Sequence, residues 1–226
     1  MDMGDYKRVV CIGAHPLDAE IMGGPLLMRY AAHHARCTMV HVTKGRLTDP
    51  RATQEQKREY DVSLHREMSA AAEALGCDCY AMDYPSSELP GAGEFIRLLA
   101  DYFQKEKVDC VVTHARGTLH PRHYYTYETV TEAVRMLRRN GSKIQLFYGE
   151  NCEDLAGFTP TVYLSMTKEE LDRWFAGLGK YSIFNGKVND MPYGEYYHSM
   201  ALIRSIEAGE HGFAKAYMHG ALIDNE

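Results

Sequence analysis

The chain has no excess of positive charge, no Cys-x-x-Cys pair, no Gly-x-Gly-x-x-Gly turn and no apolar run long enough to cross a bilayer. Each absence removes a class of function. A formal net charge of −6 argues against general nucleic-acid binding, which calls for a basic patch. A spanning helix needs about 20 consecutive apolar residues, so no membrane segment is expected. The opening residues Met1-Asp2-Met3-Gly4-Asp5 are acidic and lack the apolar core of a signal peptide. The cysteines (Cys11, Cys37, Cys77, Cys79, Cys110 and Cys152) make no disulfide framework, and Cys77-Asp78-Cys79 is too tightly spaced for a zinc ribbon. Cys11, Cys37 and Cys110 fall in or beside strand-like runs, where a free thiol packs as a small hydrophobe. A reducing, cytoplasmic setting is the expectation. The turn Gly13-Ala14-His15-Pro16 gives a pyrophosphate no close approach to the backbone, which sets aside a nucleotide-dependent oxidoreductase.

What is present is ordinary globular composition over 226 residues, 45% hydrophobic and 25% charged, which fits one domain spanning 1–226. Strand-like runs at 9–13, 38–43, 79–82, 110–113 and 144–148 alternate with helix-like spacing at 18–33, 55–75, 93–106 and 123–138. Gly76 and Asn140-Gly141 read as helix stops. This alternation predicts an α/β fold with a mostly parallel sheet and helices on both faces. The last third is less regular: a strand at 161–165, a capping box of Thr167 with Glu170 opening a helix, and a further helix at 195–207. Two long polar loops, 44–54 and 83–93, are of a length that is often functional.

The chemistry concentrates at two strand ends. Ala14-His15-Pro16-Leu17-Asp18-Ala19-Glu20 lies between the first strand and the first helix, and His120-Pro121-Arg122-His123 follows the fourth. In a doubly wound sheet these strands are often neighbours at the switch point, where a crevice opens at the carboxyl ends. A single His-x-x-Asp is equally what a capped helix shows; two such clusters point to a metal site. His15, Asp18 and His123 supply the three ligands of a catalytic zinc site, which leaves His120 free to meet a developing oxyanion. Among the remaining histidines, His114 at a strand end is the nearest to this site. The tyrosine clusters Tyr124, Tyr125, Tyr127 and Tyr193, Tyr196, Tyr197 read as packing or interface residues.

With those motifs in view, the chain resembles the PIG-L (LmbE-like) family of zinc-dependent N-deacetylases. Ala14 to Ile21 with Gly23-Gly24 resembles the signature Ala-His-Pro-Asp-Asp-Ala-Glu, and 120–123 resembles His-Pro-Asp-His. Glu67 through Leu75-Gly76 and Glu150 through Pro160 resemble further segments. The resemblance implies a Rossmann-like sheet, Zn2+ or another divalent ion on His15, Asp18 and His123, and His120 stabilising a tetrahedral intermediate. It also implies a small-molecule substrate such as an N-acetyl amino sugar, and a homo-oligomer. Two positions depart from it. Leu17 replaces the Asp that acts as general base, and Arg122 replaces the Asp of the second motif. Either the base chemistry is altered, with Glu20, His120, Glu153 or Asp154 as substitutes, or the chain is a non-catalytic metal- and sugar-binding relative. Arg122, Arg66 and His114 are the candidate substrate contacts, Arg122 favouring an anionic ligand.

Overall fold

The computed structural model describes residues 5–47 and 49–220, so residues 1–4, most of the acidic opening segment, lie outside the described part. The elements run β1 (Arg8–Gly13), α1 (Asp18–Ala32), β2 (Arg36–Thr43), α2 (Gln54–Leu75), β3 (Asp78–Tyr84), α3 (Ala92–Lys105), β4 (Cys110–His114), α4 (Pro121–Arg139), β5 (Gln145–Gly149), β6 (Val162–Met166), α5 (Lys168–Leu178), α6 (Tyr193–Glu207) and β7 (Phe213–His219). They form a seven-stranded sheet in the order β3-β2-β1-β4-β5-β7-β6. The first five strands are parallel, and β7 runs antiparallel to both β5 and β6.

The strands nearest the centre are buried on both faces, which is why β1 and β4 read as unbroken apolar runs and not as alternation. One core lies under α1, α2, α5 and α6 (Leu27, Met68, Trp174 and Tyr197), the other under α3 and α4 (Phe95, Leu99, Val130 and Val134). The chain changes face between β3 and β4: β1 and β2 are covered first on one side, and α3 then carries the chain back over the other side to pair β4 beside β1. That reversal opens the crevice at the carboxyl ends of β1 and β4.

Local signals account for most boundaries. Thr53 with Gln56 and Thr167 with Glu170 each form a complete capping box. Gly76, at φ 75°, ends α2 in the left-handed region that glycine enters without steric cost. Pro121 sits in the first turn of α4, where its missing N–H removes nothing.

Strand β7 carries no expectation from the sequence, because Lys215 interrupts its apolar run. The fold buries that lysine: its ammonium donates to the Glu150 carbonyl at 2.8 Å and lies 5.4 Å from the Trp174 ring and 5.6 Å from the Tyr197 ring. All six cysteines are free. No helix among the described residues is long and apolar enough to cross a membrane.

Candidate functional site

The turn after β1 is tied down on three sides. A Cβ on Gly13 would lie 2.6 Å from the Ala19 nitrogen and 2.7 Å from the Asp18 Cβ, so glycine alone lets the strand pass so close to α1. The Thr43 N–H and hydroxyl donate to the Ala14 carbonyl at 2.9 and 2.8 Å. The Ala14 N–H donates to His114 Nε2 at 2.9 Å. Leu17, the N-cap of α1, has φ 86° and ψ −28°. That left-handed conformation disfavours a residue with a bulky side chain by about 1–2 kcal/mol. The Leu17 side chain is buried in the apolar core, with 5% of its surface exposed.

This turn and the start of α4 bring three side-chain atoms together. His15 Nδ1 lies 3.3 Å from Asp18 Oδ2 and 3.3 Å from His123 Nε2, and the third edge, His123 Nε2 to Asp18 Oδ2, is 3.4 Å. Tetrahedral zinc with bonds of about 2.0–2.1 Å separates its ligand atoms by about 3.3–3.4 Å. The triangle therefore has the dimensions of one face of such a site. His15 with His120 and His123, and Asp18 with His114 and His123, are also close enough to share an ion.

Behind the triangle lies a buried polar layer. Asp154 accepts from His123 Nδ1 at 2.9 Å through Oδ1 and from His114 Nδ1 at 2.6 Å through Oδ2. The first bond leaves His123 Nε2 with its lone pair facing the triangle. Asn151 Nδ2 donates to Asp18 Oδ1 at 3.1 Å, while the His15 N–H donates to Oδ2 at 2.7 Å. Burial works against the ionised form of Asp18, but His123 and His114 outweigh it and hold the carboxyl well below its usual range. Asp154 is lowered in the same way, burial being offset by its bonds to His114 and His123. Burial lowers the His114 pKa, and Asp18 and Asp154 pull it up to about 9. The Ala14 N–H aimed at Nε2 opposes that second proton, and the hydrogen bonds fit a neutral ring with its proton on Nδ1.

On the open side, His120 stands edge-on to His15, ring centres 4.8 Å apart. Its Nδ1 is buried without a hydrogen-bond partner. Burial, and then the neighbouring His123 and His15, push its pKa down to about 4, so the ring is neutral near pH 7. Glu153 Oε2 approaches His123 Nε2 to 3.6 Å from a side chain more than half exposed. A pocket of about 400 Å³ opens beside the two histidines, lined among others by Leu64, Ile183, Arg46 and Arg122.

The sequence-predicted residues fall into two groups. His15, Asp18, His120 and His123 meet at one place, and Arg122 lines the adjoining pocket. The other two candidate substrate contacts, His114 and Arg66, are not among the residues lining the pocket. His114 is fully buried behind the triangle, bonded to Ala14 and Asp154. Arg66 is exposed on α2, which faces the pocket with Tyr60 and Leu64 instead. Of the substitute bases, Glu20 is fully buried and engaged with Tyr181, and Asp154 is held by two imidazoles; His120 and Glu153 remain beside the open face. The loop 44–54, of which residue 48 is not described, supplies Gly45 and Arg46 to the pocket, and the loop 83–93 supplies Ser86.

Sequence reasoning missed the bridging role of Asp154, the role of Asn151 and that of His41. The signal for the first two was their place just past β5, the next parallel strand beside β4. Their loop is pinned to the one after β4: the Ala156 N–H donates to the Gly117 carbonyl at 3.1 Å, and a Cβ on Gly117 would overlap the Ala156 carbonyl oxygen at 1.3 Å. His41, buried within β2, gave no signal in an apolar run.

Among solved structures the chain is similar to GalB, the 4-carboxy-2-hydroxymuconate hydratase of Pseudomonas putida KT2440, at 15% identity over 97% of this chain and 98% of that one, TM-score 0.80. It is similar to the conserved protein TT1542 of Thermus thermophilus, at 21% identity over 95% of each chain, TM-score 0.75. It also resembles the N,N'-diacetylchitobiose deacetylase of Pyrococcus horikoshii, at 17% identity over 95% of this chain and 84% of that one, TM-score 0.71. At such identities the likeness is one of fold. No curated protein matches the chain. The PIG-L family model, described as GlcNAc-PI de-N-acetylase, matches residues 10–134, from β1 into α4. That match covers more than half of the 226 residues and includes both histidine clusters, and the chain belongs to the PIG-L family.

Proposed function

We propose that the chain is a zinc-dependent hydrolase of the N-deacetylase type, acting on N-acetyl amino sugars of the N-acetylglucosamine kind or on related amides. The observation that carries this reading is the triangle of His15 Nδ1, Asp18 Oδ2 and His123 Nε2, with edges of 3.3, 3.3 and 3.4 Å. Two imidazole nitrogens and one carboxylate oxygen suit zinc and leave a coordination position open; another divalent ion would fit the same donors. His120, its ring 4.8 Å from that of His15, has a buried Nδ1 without a hydrogen-bond partner, a polar atom left to be satisfied. Family membership supports the reaction class. The fold alone does not, since a hydratase shares it.

An ion held there would supply Lewis-acid chemistry, polarising the amide carbonyl and making water nucleophilic near neutral pH. The protein does the rest. Asp154 fixes the tautomer of His123 and Asn151 orients Asp18. His120, neutral and beside the pocket, offers a hydrogen bond to the oxygen that gains charge when water adds to the carbonyl carbon. The C–N bond then breaks as the nitrogen takes up one proton of the added water, giving a free amine and acetate, with the other proton released to solvent.

The zinc-loaded protein is expected to release acetate from an N-acetylglucosamine derivative. A panel of N-acyl substrates that yields no acid from the loaded protein would sink the proposal. Asp154→Asn tests the second layer of the site. An amide cannot accept from both imidazoles as a carboxylate does, and zinc affinity measured by competition with a chelator should fall by about 10–100-fold. Unchanged affinity would remove Asp154 from the site.

Leu17 favours a second reading, a non-catalytic relative that keeps the ion to bind a sugar, because an apolar side chain buried at the base position accepts no proton. Robust turnover by the natural protein excludes it.

A further inference from the structure

The pocket beside the histidines has a charge that the deacetylase reading does not use. Arg46, from the loop after β2, and Arg122, in the first turn of α4, both line it together with His15 and His120. No acidic side chain is among its described lining residues. Neither guanidinium has a hydrogen bond or ion pair with any described residue, as is also true of Arg58, Arg66, Arg97, Arg116 and Arg139; what sets Arg46, exposed, and Arg122, half-buried, apart is that they line the same pocket. Two unpartnered guanidiniums in one concave site are placed for an anion, which each can hold through paired N–H donors. Helix α4 adds to this, because its N-terminal end opens at the pocket through Pro121 and Arg122, and its N-cap His120 makes no side-chain cap. The positive end of a 19-residue helix thus points the same way as the arginines. The wall formed by Leu64 and Ile183 is apolar and gives a charged group no competing partner.

We propose that this pocket selects substrates carrying an anionic group, a phosphate or a carboxylate, with Arg46 and Arg122 as its ligands and the acyl group lying toward His15 and His120. The placement of the acyl group rests on the deacetylase reading; binding of the anion does not, and the two can fail separately. Arg122 stands where the resemblance to the family places an Asp, so this selectivity belongs to this chain's own residues.

Calorimetric titration tests it. Inorganic phosphate is titrated into the zinc-loaded protein and into its chelator-treated counterpart, beside the Arg46→Gln/Arg122→Gln double variant of each. Phosphate should bind in both states, weaken as salt rises, and bind at least about tenfold more weakly to the double variant. In the zinc-loaded protein N-acetylglucosamine 6-phosphate and N-acetylmuramic acid should bind at least about tenfold more tightly than neutral N-acetylglucosamine, a preference the double variant loses. The tighter of the two charged sugars identifies the anion as phosphate or carboxylate. No phosphate binding, equal binding by natural protein and variant, or no preference for charged over neutral sugar would each overturn the proposal. If circular dichroism shows the double variant unfolded, Arg122→Asp alone serves, and it should reverse the preference toward the neutral sugar. Acetate release, measured apart, decides the reaction: anion binding without it leaves the pocket standing and the deacetylase reading fallen.

Discussion

Leu17→Asp raises the rate of acetate release by the zinc-loaded protein by about 10²–10⁴-fold, the usual contribution of a positioned acid–base group. The backbone already favours the change. Leu17 sits at φ 86°, a region that aspartate enters several-fold more readily than leucine. Against this, the substitution removes a leucine that is 5% exposed, a loss of about 1.5–3 kcal/mol of apolar burial. The variant should therefore fold with lowered stability and a raised rate. The comparison is kcat for both proteins on one N-acetyl amino sugar at equal zinc occupancy. Turnover by the variant alone would mean that the natural chain has lost its base and binds without reacting. A natural protein that already turns over, with little gain in the variant, points to Glu153 or His120, the groups left beside the open face of the triangle.

Much of this site was legible because its clustered side chains come from short segments at strand ends. His15 and Asp18 are three residues apart in one turn, and His120 and His123 in another; the apolar runs before them mark β1 and β4. The parallel sheet and the β1–β4 pairing then bring the turns together. What stayed hidden depends on side chains that meet only in the folded chain. Asp154 reaches His123 across 31 residues and His114 across 40. His114 sits at a strand end like the true neighbours of the pocket, and only its burial tells it apart. Arg66 lies two residues from the pocket-lining Leu64, and helical geometry turns it away. Strand β7 escaped for a related reason: Lys215 looks like an exposed residue until the Glu150 carbonyl and two aromatic rings surround it.

The support beneath the His15 turn is the least legible part and carries the largest stability prediction. His41 and Glu20 are both fully buried, with Nε2 and Oε1 paired at 3.2 Å. Tyr181 donates to the same Glu20 oxygen at 2.8 Å, and His41 Nδ1 lies 3.4 Å from the His15 carbonyl. Burial lowers the His41 pKa, yet the Glu20 carboxylate more than reverses this and raises it to about 10. His41→Leu removes one partner and strands the other, a carboxylate, in an apolar core, which costs about 3–5 kcal/mol. That is a large part of the roughly 5–15 kcal/mol that holds a domain folded. Urea unfolding reads it, and His41→Leu/Glu20→Gln should recover part of the loss, because an amide needs no counter-charge and still accepts from Tyr181. The pH dependence follows from the same pair. A histidine whose folded pKa lies above its unfolded value of about 6.5 stabilises fully below that value. The contribution shrinks as pH rises and is gone above about 10. The natural protein should therefore lose more stability across the upper part of that window, toward pH 10, than His41→Leu does. A single variant within about 1 kcal/mol of the natural protein, or the same alkaline slope in both, would show that the pair does not hold the turn.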